Sequence, residues 1–100
     1  MLLKYALVAL GVLCATPFAH ASKTMVTSCY SQRVGIAAHK TLTFGTVLRL
    51  AYRGSIAFVT IHDRGPFVRG RDLDISCKLA KEMGFLKRGV APVRVSVVRK

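Results

Sequence analysis

The feature that most limits the fold is a leader-like N-terminus, which leaves a short chain to form the structure. Lys4 precedes an apolar stretch from Tyr5 to Ala15, and a run of that length suits the hydrophobic part of an export signal better than a membrane span. The segment Ala19–Ala21 has the small residues that signal peptidases accept. We therefore predict that residues 1–21 are a signal peptide and that residues 22–100, 79 of the 100 residues, form one domain.

Two other interpretations of this N-terminus are an uncleaved membrane anchor and a lipoprotein signal. The lipoprotein interpretation is the weaker one, because Leu13 is bulky for the position before a lipidated cysteine such as Cys14. A cleaved signal predicts export to the periplasm or cell envelope, with no stable membrane anchor on the mature protein.

Two cysteines remain in the predicted mature chain, Cys29 and Cys77. A domain of this size buries a modest share of its surface and often needs a covalent link, and export would place the pair in an oxidising compartment. We predict a Cys29–Cys77 disulfide, which the chain-entropy argument values at about 4 kcal/mol. The alternative is a pair of buried free thiols.

The charge of the chain is strongly positive. Sixteen Lys and Arg face four Asp and Glu, which gives +12, or +11 once Lys4 is removed. Such an excess attracts polyanions. Export argues against nucleic acid and favours the carboxylates and phosphates of a bacterial envelope. Because the charges are scattered along the chain, a generally cationic surface is the simpler interpretation.

The apolar pattern of the mature chain predicts mostly strands. Val47–Tyr52 and Ile56–Ile61 flank the turn signal Arg53-Gly54, and together they predict a hairpin. Val93, Val95 and Val97 alternate with Arg94 and Ser96, which predicts a final strand. Met25–Tyr30 is the candidate first strand.

Two segments depart from the strand pattern. Ser31–Ala38 reads as a loop, and Asp74–Met83 is the one helical pattern. Asp74 or Ser76 is the candidate N-cap of that helix, and Gly84 is its candidate end. Several short strands with one short helix predict a mainly β fold in the form of a small closed barrel.

Two motifs carry a resemblance to a known family. Residues 37–46 read AAHKTLTFGT, and residues 62–71 read HDRGPFVRGR and run into LDIS at 73–76. In this order and spacing the chain resembles the rare lipoprotein A (RlpA) family of exported double-psi β-barrel proteins, and GVAPVRVSV at 89–97 matches as well. The resemblance covers almost all of the mature chain. It implies a six-stranded double-psi β-barrel and an endolytic peptidoglycan transglycosylase.

The sequence departs from the family in the loop after the first strand. Family members carry a longer loop with acidic residues, whereas here only Ser31–Ala38 separates Tyr30 from His39 and contains no acid. Any role of those acids in activity is therefore not carried over. Cys29 also takes the place of a common family tryptophan, so the bond to Cys77 is a candidate substitute for lost aromatic packing.

The reaction that the resemblance implies needs only one carboxyl group. A lytic transglycosylase cleaves the β-1,4 bond between N-acetylmuramic acid and N-acetylglucosamine, as the muramic 6-hydroxyl attacks its own anomeric carbon. One acid can first protonate the leaving oxygen and then accept the 6-hydroxyl proton, whereas hydrolysis by the usual route needs a second acid. The chain has four acids: Asp63, Asp72, Asp74 and Glu82.

Asp63 is the predicted catalytic acid, because it ends a strand, begins the turn that contains Pro66, and lies at the position of the aspartate in the family motif. To carry a proton at neutral pH it must be buried, and Arg64 must point elsewhere. The alternative is that Asp63 only caps the turn through its own backbone.

His39 matches the family's loop histidine and is predicted to hydrogen-bond Asp63 or a sugar hydroxyl, the alternative being a polar surface residue. His62 is a weaker candidate, because strand alternation puts it opposite Asp63.

The other acids and Ser76 are predicted to have structural or solvent-exposed roles and not catalytic ones. Asp74 and Ser76 read as a helix cap and a turn, and Asp72 and Glu82 read as solvated charges.

Aromatic and basic residues near the motifs are the predicted substrate contacts. Aromatic rings can stack on sugars, and guanidinium groups can pair with muramic carboxylates. Each aromatic residue, Phe44 included, is as well suited to the core, and each arginine to a solvated turn. The predicted contacts are Tyr30, Arg64, Phe67, Arg69 and Arg71.

Two other functions stay open beside the lytic transglycosylase. One is a non-catalytic, expansin-like module that binds peptidoglycan glycan strands, which the missing loop acids favour. The other is a cationic inhibitor or structural protein of the envelope. No metal-ligand spacing, phosphate loop or Ser/His/Asp arrangement is present, so we expect no metal and no cofactor, and we expect a monomer.

Overall fold

The computed structural model describes residues 22–100, so the predicted signal peptide, its cleavage site and Cys14 lie outside the described residues. Within these residues, six strands and one helix follow one another. They are β1 (Ser22–Ser31), β2 (Ile36–His39), β3 (Val47–Tyr52), β4 (Ser55–Asp63), β5 (Leu73–Ser76), α1 (Cys77–Met83) and β6 (Val90–Arg99).

The strands close into a barrel in the order β1-β5-β2-β4-β3-β6. The β1–β5 and β2–β4 pairs are parallel, and the other four pairs are antiparallel. The mainly β, six-stranded barrel with one short helix is therefore confirmed.

The barrel interior is filled from the long strands β3 and β4, and the alternation of β3 was visible in the sequence. Leu48 and Leu50 of β3 and Ile61 of β4 are fully buried, and Val59 is nearly so. Phe85, which follows α1, is 1% exposed and packs edge-on against Tyr52, with the ring centroids 5.4 Å apart. This apolar interior is the main source of stabilisation for the fold.

Two short strands escaped the sequence prediction. Ile36–His39 lies in part of the predicted loop and forms β2, with Ala37 and Ala38 buried. Leu73–Ser76 forms β5, so the helix begins at Cys77 and not at Asp74. A strand forms here because all four residues pair with β1, and Leu73 and Asp74 also pair with β2.

Two of the predicted cap residues, Ser76 and Gly84, are found at the two ends of the helix. The Ser76 hydroxyl accepts a hydrogen bond from the Leu79 amide at 2.9 Å, as an N-cap does. Gly84 ends the helix in the left-handed conformation at φ 95°, which glycine adopts without a steric penalty. The candidate cap Asp74 is wrong, since it lies inside β5.

The predicted disulfide is present between Cys29 and Cys77, whose Cα atoms are 4.8 Å apart. It ties the end of β1 to the first residue of α1. The alternative of two free thiols is thereby excluded in this structure.

Within residues 22–100, the single helix is too short and too polar to be a membrane-spanning segment.

Candidate active site

Asp63 is brought to the site by an irregularity in strand pairing. Along the parallel β2–β4 pair, Ala37 is opposite Ile61, but Ala38 is opposite Asp63, so His62 is an extra residue. Such a β-bulge redirects the side chains that follow it. Ile61 is buried in the barrel, whereas His62 and Asp63 are both exposed. The strict alternation that would separate His62 from Asp63 is lost at this point.

A second irregularity lies at the equivalent place on the other parallel pair. Cys29 is opposite Ile75, but Ser31 is opposite Ser76, so Tyr30 is the extra residue of β1. Bulges are frequent beside functional sites because they re-aim single side chains. Here Tyr30, the extra residue of one bulge, meets Asp63, which directly follows the extra residue of the other.

The Asp63 carboxylate makes two hydrogen bonds. Its Oδ2 accepts from the Tyr30 hydroxyl at 3.2 Å, and its Oδ1 accepts from the Arg64 amide at 2.9 Å. The second bond is the turn cap that the sequence offered as the alternative role. Asp63 is exposed, so the burial that the sequence analysis required of a neutral acid is not present.

The hydroxyl of Tyr30 lies among negative charges. Partial burial raises its pKa above the ordinary value of 10.0, and the charge and hydrogen bond of Asp63 raise it further. The charge of Asp74 adds a smaller effect in the same direction. Tyr30 is therefore a phenol at neutral pH and donates to Asp63.

Asp74 is a residue of this region that the sequence assigned only to a helix cap. In the register, Ala38 is opposite Asp63 on one side and Asp74 on the other, and Asp74 is opposite Ser28. The Ser28 hydroxyl donates to the Asp74 carboxylate. Two carboxylates thus flank Ala38. The signal that could have found Asp74 is its place in the LDIS motif, once that motif is read as a strand.

His39 is held by the turn that follows it. Its Nδ1 accepts hydrogen bonds from the amides of Thr41 and Leu42, each at 3.1 Å. Burial lowers the pKa of His39 below its ordinary value of 6.5; Asp72 opposes that effect, and the nearby positive charges of Lys23, Lys40 and Arg64 reinforce it. The predicted bond between His39 and Asp63 is not formed in this structure, where Asp63 is bonded to Tyr30 and to its own turn.

Arg64 points away from Asp63, as the acid role required. Its Nη1 donates to the carbonyl oxygens of His39 at 3.0 Å and of Leu42 at 2.7 Å. The guanidinium carbon lies 4.2 Å from the centroid of the Phe44 ring. The side chain predicted as a substrate contact thus bonds the protein's own backbone.

The remaining predicted contacts lie on the segment after Asp63. A cis peptide bond joins Gly65 to Pro66. Phe67 is 81% exposed, so the alternative of a core role is wrong for it. Arg69 is exposed and Arg71 is half-buried. The Arg71 carbonyl accepts from Lys40 Nζ at 2.8 Å, which connects this segment to the turn after β2.

Two further aromatic side chains also lie outside the core. Tyr30 is 39% exposed and Phe44 is 51% exposed. Tyr30 contacts Asp63, Phe44 contacts Arg64, and Phe67 follows on the same segment, so all three leave aromatic surface accessible on or next to the residues after β4.

The two other acids differ in role. Asp72 was predicted to be a solvated charge, but its Oδ2 accepts from the Val26 amide at 2.9 Å, and its amide donates to the Val26 carbonyl at 2.8 Å. Asp72 therefore helps to fasten the segment before β5 to β1. Glu82 is exposed on α1, as predicted. Among residues 22–100, no three His, Cys, Asp or Glu side chains are grouped to hold a metal ion.

This geometry defines a class: a closed six-stranded barrel in which a bulge presents an aspartate, Asp63, and the neighbouring strand β2 ends at a histidine, His39. Residues 12–95 match the family described as lytic transglycolase. The chain therefore belongs to the RlpA-like family of double-psi β-barrel proteins.

Two curated relatives show the extent of the match. The chain is 40% identical over 82 residues to the probable endolytic peptidoglycan transglycosylase RlpA of Aquifex aeolicus, covering 80% of this chain and 36% of that protein. It is 38% identical over 84 residues to the endolytic peptidoglycan transglycosylase RlpA of Campylobacter jejuni, covering 82% of this chain and 30% of that protein. The chain thus spans about a third of these relatives.

Two solved structures share the fold at 16% identity. Streptomyces papain inhibitor superposes with a TM-score of 0.67, covering 83% of this chain and 98% of the inhibitor. An expansin of Clavibacter michiganensis, solved in complex with cellohexaose, gives 0.65 and covers 78% of this chain and 50% of the expansin. At this identity, both show the fold alone.

Proposed function

We propose that residues 22–100, exported and freed of residues 1–21, act in the cell envelope as a peptidoglycan lytic transglycosylase. The observation that carries this proposal is the placement of Asp63. A bulge presents its carboxylate outside the barrel interior, Tyr30 donates to it, and its register partner Ala38 directly precedes His39. Membership of the family supplies the reaction class.

In this reaction one carboxyl group serves twice. Protonated Asp63 gives its proton to the glycosidic oxygen, and the bond from that oxygen to the muramic anomeric carbon breaks. The muramic 6-hydroxyl oxygen forms a new bond to the same carbon, and its proton passes to the Asp63 carboxylate. The products are a 1,6-anhydro-muramic end and an N-acetylglucosamine end with a free 4-hydroxyl. No water is consumed, and Asp63 finishes protonated as it began.

A bound glycan strand would supply the burial that Asp63 lacks in the free protein. A sugar ring lying over the carboxyl group excludes water and favours its neutral form. The direction of Arg64 helps, because its guanidinium bonds carbonyl groups of the neighbouring turn instead of stabilising the ionised carboxylate.

The exposed side chains around Asp63 suit a glycan strand. Phe67 and Tyr30 offer faces for stacking on sugar rings. Arg69 and Arg71, with the net charge of the domain, favour a polymer that carries muramic carboxylates. Arg64 keeps part of its guanidinium for a similar contact. The protein would act as a monomer and without a cofactor.

A second function is favoured by two specific observations. Asp63 is exposed in the free protein, and the short connection between β1 and β2 carries none of the acids found in that loop of the family. A module that kept the binding surface and lost cleavage would bind peptidoglycan in the expansin-like manner.

Digestion of purified sacculi by the exported protein tests the proposal, with 1,6-anhydro muropeptides detected by mass spectrometry. Asp63→Asn should lower their yield about 10²–10⁴-fold, because asparagine is nearly isosteric and still caps the turn but cannot deliver a proton. Glu82→Gln is the matched control, since it removes an exposed acid on α1 and should leave the yield unchanged.

The outcomes separate the two functions. Anhydro products from the wild type that vanish in a folded Asp63→Asn variant support the transglycosylase. Sacculus binding by a wild type that makes no anhydro product supports the binding module. Full activity of Asp63→Asn would assign the acid to another residue.

A further inference from the structure

The turn between β2 and β3 is fastened at two places. On one side, the His39 imidazole accepts both the Thr41 and the Leu42 amides through Nδ1. This is a cap of the kind that Asx residues give to tight turns. The turn and the imidazole orientation are therefore mutually dependent, because rotating the ring would leave two amides without their acceptor.

Arg64 fastens the same turn from the opposite strand end. Its single Nη1 group has two hydrogens, and both are directed at carbonyl groups of the turn, those of His39 and Leu42. The two carbonyls belong to the residue that carries the imidazole and to the last residue that the imidazole caps. The Phe44 ring lies against the guanidinium at 4.2 Å and completes the enclosure.

The contacts at Nδ1 fix the protonation of the imidazole. A ring nitrogen that accepts two N–H groups carries no proton, so in the neutral ring the proton is on Nε2. Burial, together with the nearby positive charges, lowers the pKa of His39 and favours this neutral form. Within residues 22–100, Nε2 makes no hydrogen bond, so its N–H is available to a ligand.

We propose that Arg64 is a positioning residue that acts through His39, by holding the β2–β3 turn in the conformation that makes Nε2 the donor. The role rests on the proposed function, because the donor is offered to a glycan oxygen. In this state His39 donates a hydrogen bond and accepts no proton, so proton transfer stays with Asp63. Because Arg64 directly follows Asp63, this one residue contacts both groups: its amide donates to the Asp63 carboxylate, and its guanidinium donates to the turn that holds His39.

The alternative role of Arg64 is the direct substrate contact that the sequence predicted. The two roles predict different effects of an Arg64 substitution on the His39 imidazole in the absence of substrate. A positioning residue changes the imidazole of the free protein, whereas a substrate contact changes only the complex.

The test is the protonation pattern of His39 in the full, exported protein, read from the ¹⁵N shifts and couplings of its ring nitrogens without glycan. The wild type should show an unprotonated Nδ1 and a protonated Nε2. Arg64→Gln should produce a mixture of the two neutral tautomers and lower the anhydro-product yield roughly 10- to 100-fold, the cost of a misplaced group. Arg69→Gln is the matched control, because Arg69 is an exposed arginine of the same segment that donates to neither carbonyl, and it should leave the pattern unchanged.

Arg64→Lys keeps the proposal testable if Arg64→Gln does not fold. Lysine keeps the charge but lacks the flat plane that stacks on Phe44, so the tautomer shift should be present but smaller. His39→Asn identifies the signals of His39 by their disappearance.

An unchanged tautomer in a folded Arg64→Gln variant would overturn the proposal, and a loss of activity in that variant would assign Arg64 to the substrate. An equal shift in Arg69→Gln would also overturn it. Because the tautomer is measured without substrate, this experiment tests the role of Arg64 independently of whether the wild type cleaves glycan.

Discussion

The two edges of strand β4 are paired in different ways. On one edge, β3 runs antiparallel and matches it over six consecutive residue pairs, from Val47↔Thr60 to Tyr52↔Ser55, without a break in register. On the other edge, β2 runs parallel and matches it over three pairs, with a bulge before Asp63. The same strand is thus regular where it builds the core and irregular where it presents a carboxylate.

This difference separates stability from chemistry within one strand. The regular edge keeps the alternation that buries Leu48, Leu50, Val59 and Ile61. The irregular edge ends that alternation after Ile61, and the side chain of Asp63 is thereby kept out of the barrel, where an unpaired charge would be costly. Changes beside a bulge and changes on the regular edge should therefore have different effects, which the following predictions test.

The largest expected effect is at the other bulge, in the β1–β5 pair, where the disulfide joins Cys29 to Cys77 beside Tyr30. Replacing both cysteines by serine should lower the free energy of unfolding by about 4 kcal/mol, because the open chain gains the entropy of an unclosed loop. Urea denaturation measures the loss, and reduction of the wild type should reproduce it. A loss under about 1 kcal/mol would mean that the contact between β1 and α1 is stable without a covalent link.

A smaller loss is expected on the regular side. Leu50→Ala removes a fully buried side chain of β3 and should cost about 3 kcal/mol, since the cavity adds to the lost burial. Ile56→Ala is the control, because Ile56 is 48% exposed on β4 and its truncation should change stability by less than about 0.5 kcal/mol.

The separation also predicts what Leu50→Ala leaves intact. Sacculus binding and the His39 tautomer, measured well below the unfolding temperature, should match the wild type. A change in either would show that the hairpin and the site are mechanically coupled through β4.

The smallest effect concerns His39 and pH. Its pKa in the folded state lies below the ordinary value of 6.5, so the unfolded chain takes up a proton first as the pH falls. The stability that the neutral imidazole contributes is present above pH 6.5 and is lost as the pH falls through the lower, folded-state pKa. His39→Asn should remove this contribution while keeping the cap on the turn, because the Asn carbonyl can replace Nδ1 as acceptor. Urea midpoints at pH 7.5 and pH 5 for both proteins measure the difference, and identical pH dependence would contradict it.

The parts of the fold that could be predicted from the sequence are those with a local signal. The β3–β4 hairpin alternates clearly and carries its turn residues Arg53 and Gly54 between the strands. The cysteine pair followed from counting, and the barrel and the motifs that hold Asp63 and His39 followed from the family resemblance.

The parts that escaped prediction depend on partners distant in the chain. Strands β2 and β5 have four residues each, too few for alternation to be recognised, and they exist because they pair between longer strands. The bulges at His62 and Tyr30 are properties of register and not of composition. The contacts of Arg64 with the turn after His39 cross 22 to 25 residues of sequence, so no local pattern reveals them. The role of Asp74 was missed for the same reason, since its serine partner lies 46 residues away.

The closure of the barrel has a consequence for how the molecule can be recognised. In the described part of the chain, every strand has a hydrogen-bonded neighbour on both sides for at least part of its length, so only short segments, such as residues 55–59 of β4, which pair with β3 alone, are open to an extra peptide strand. Recognition by strand addition, which relies on the backbone amides of both partners, therefore has little strand edge to use. Over the rest of the barrel, a partner has to be held by side chains and turns. A polysaccharide, which has no peptide strand to offer, loses nothing by that restriction, whereas an extended polypeptide loses its most general means of attachment.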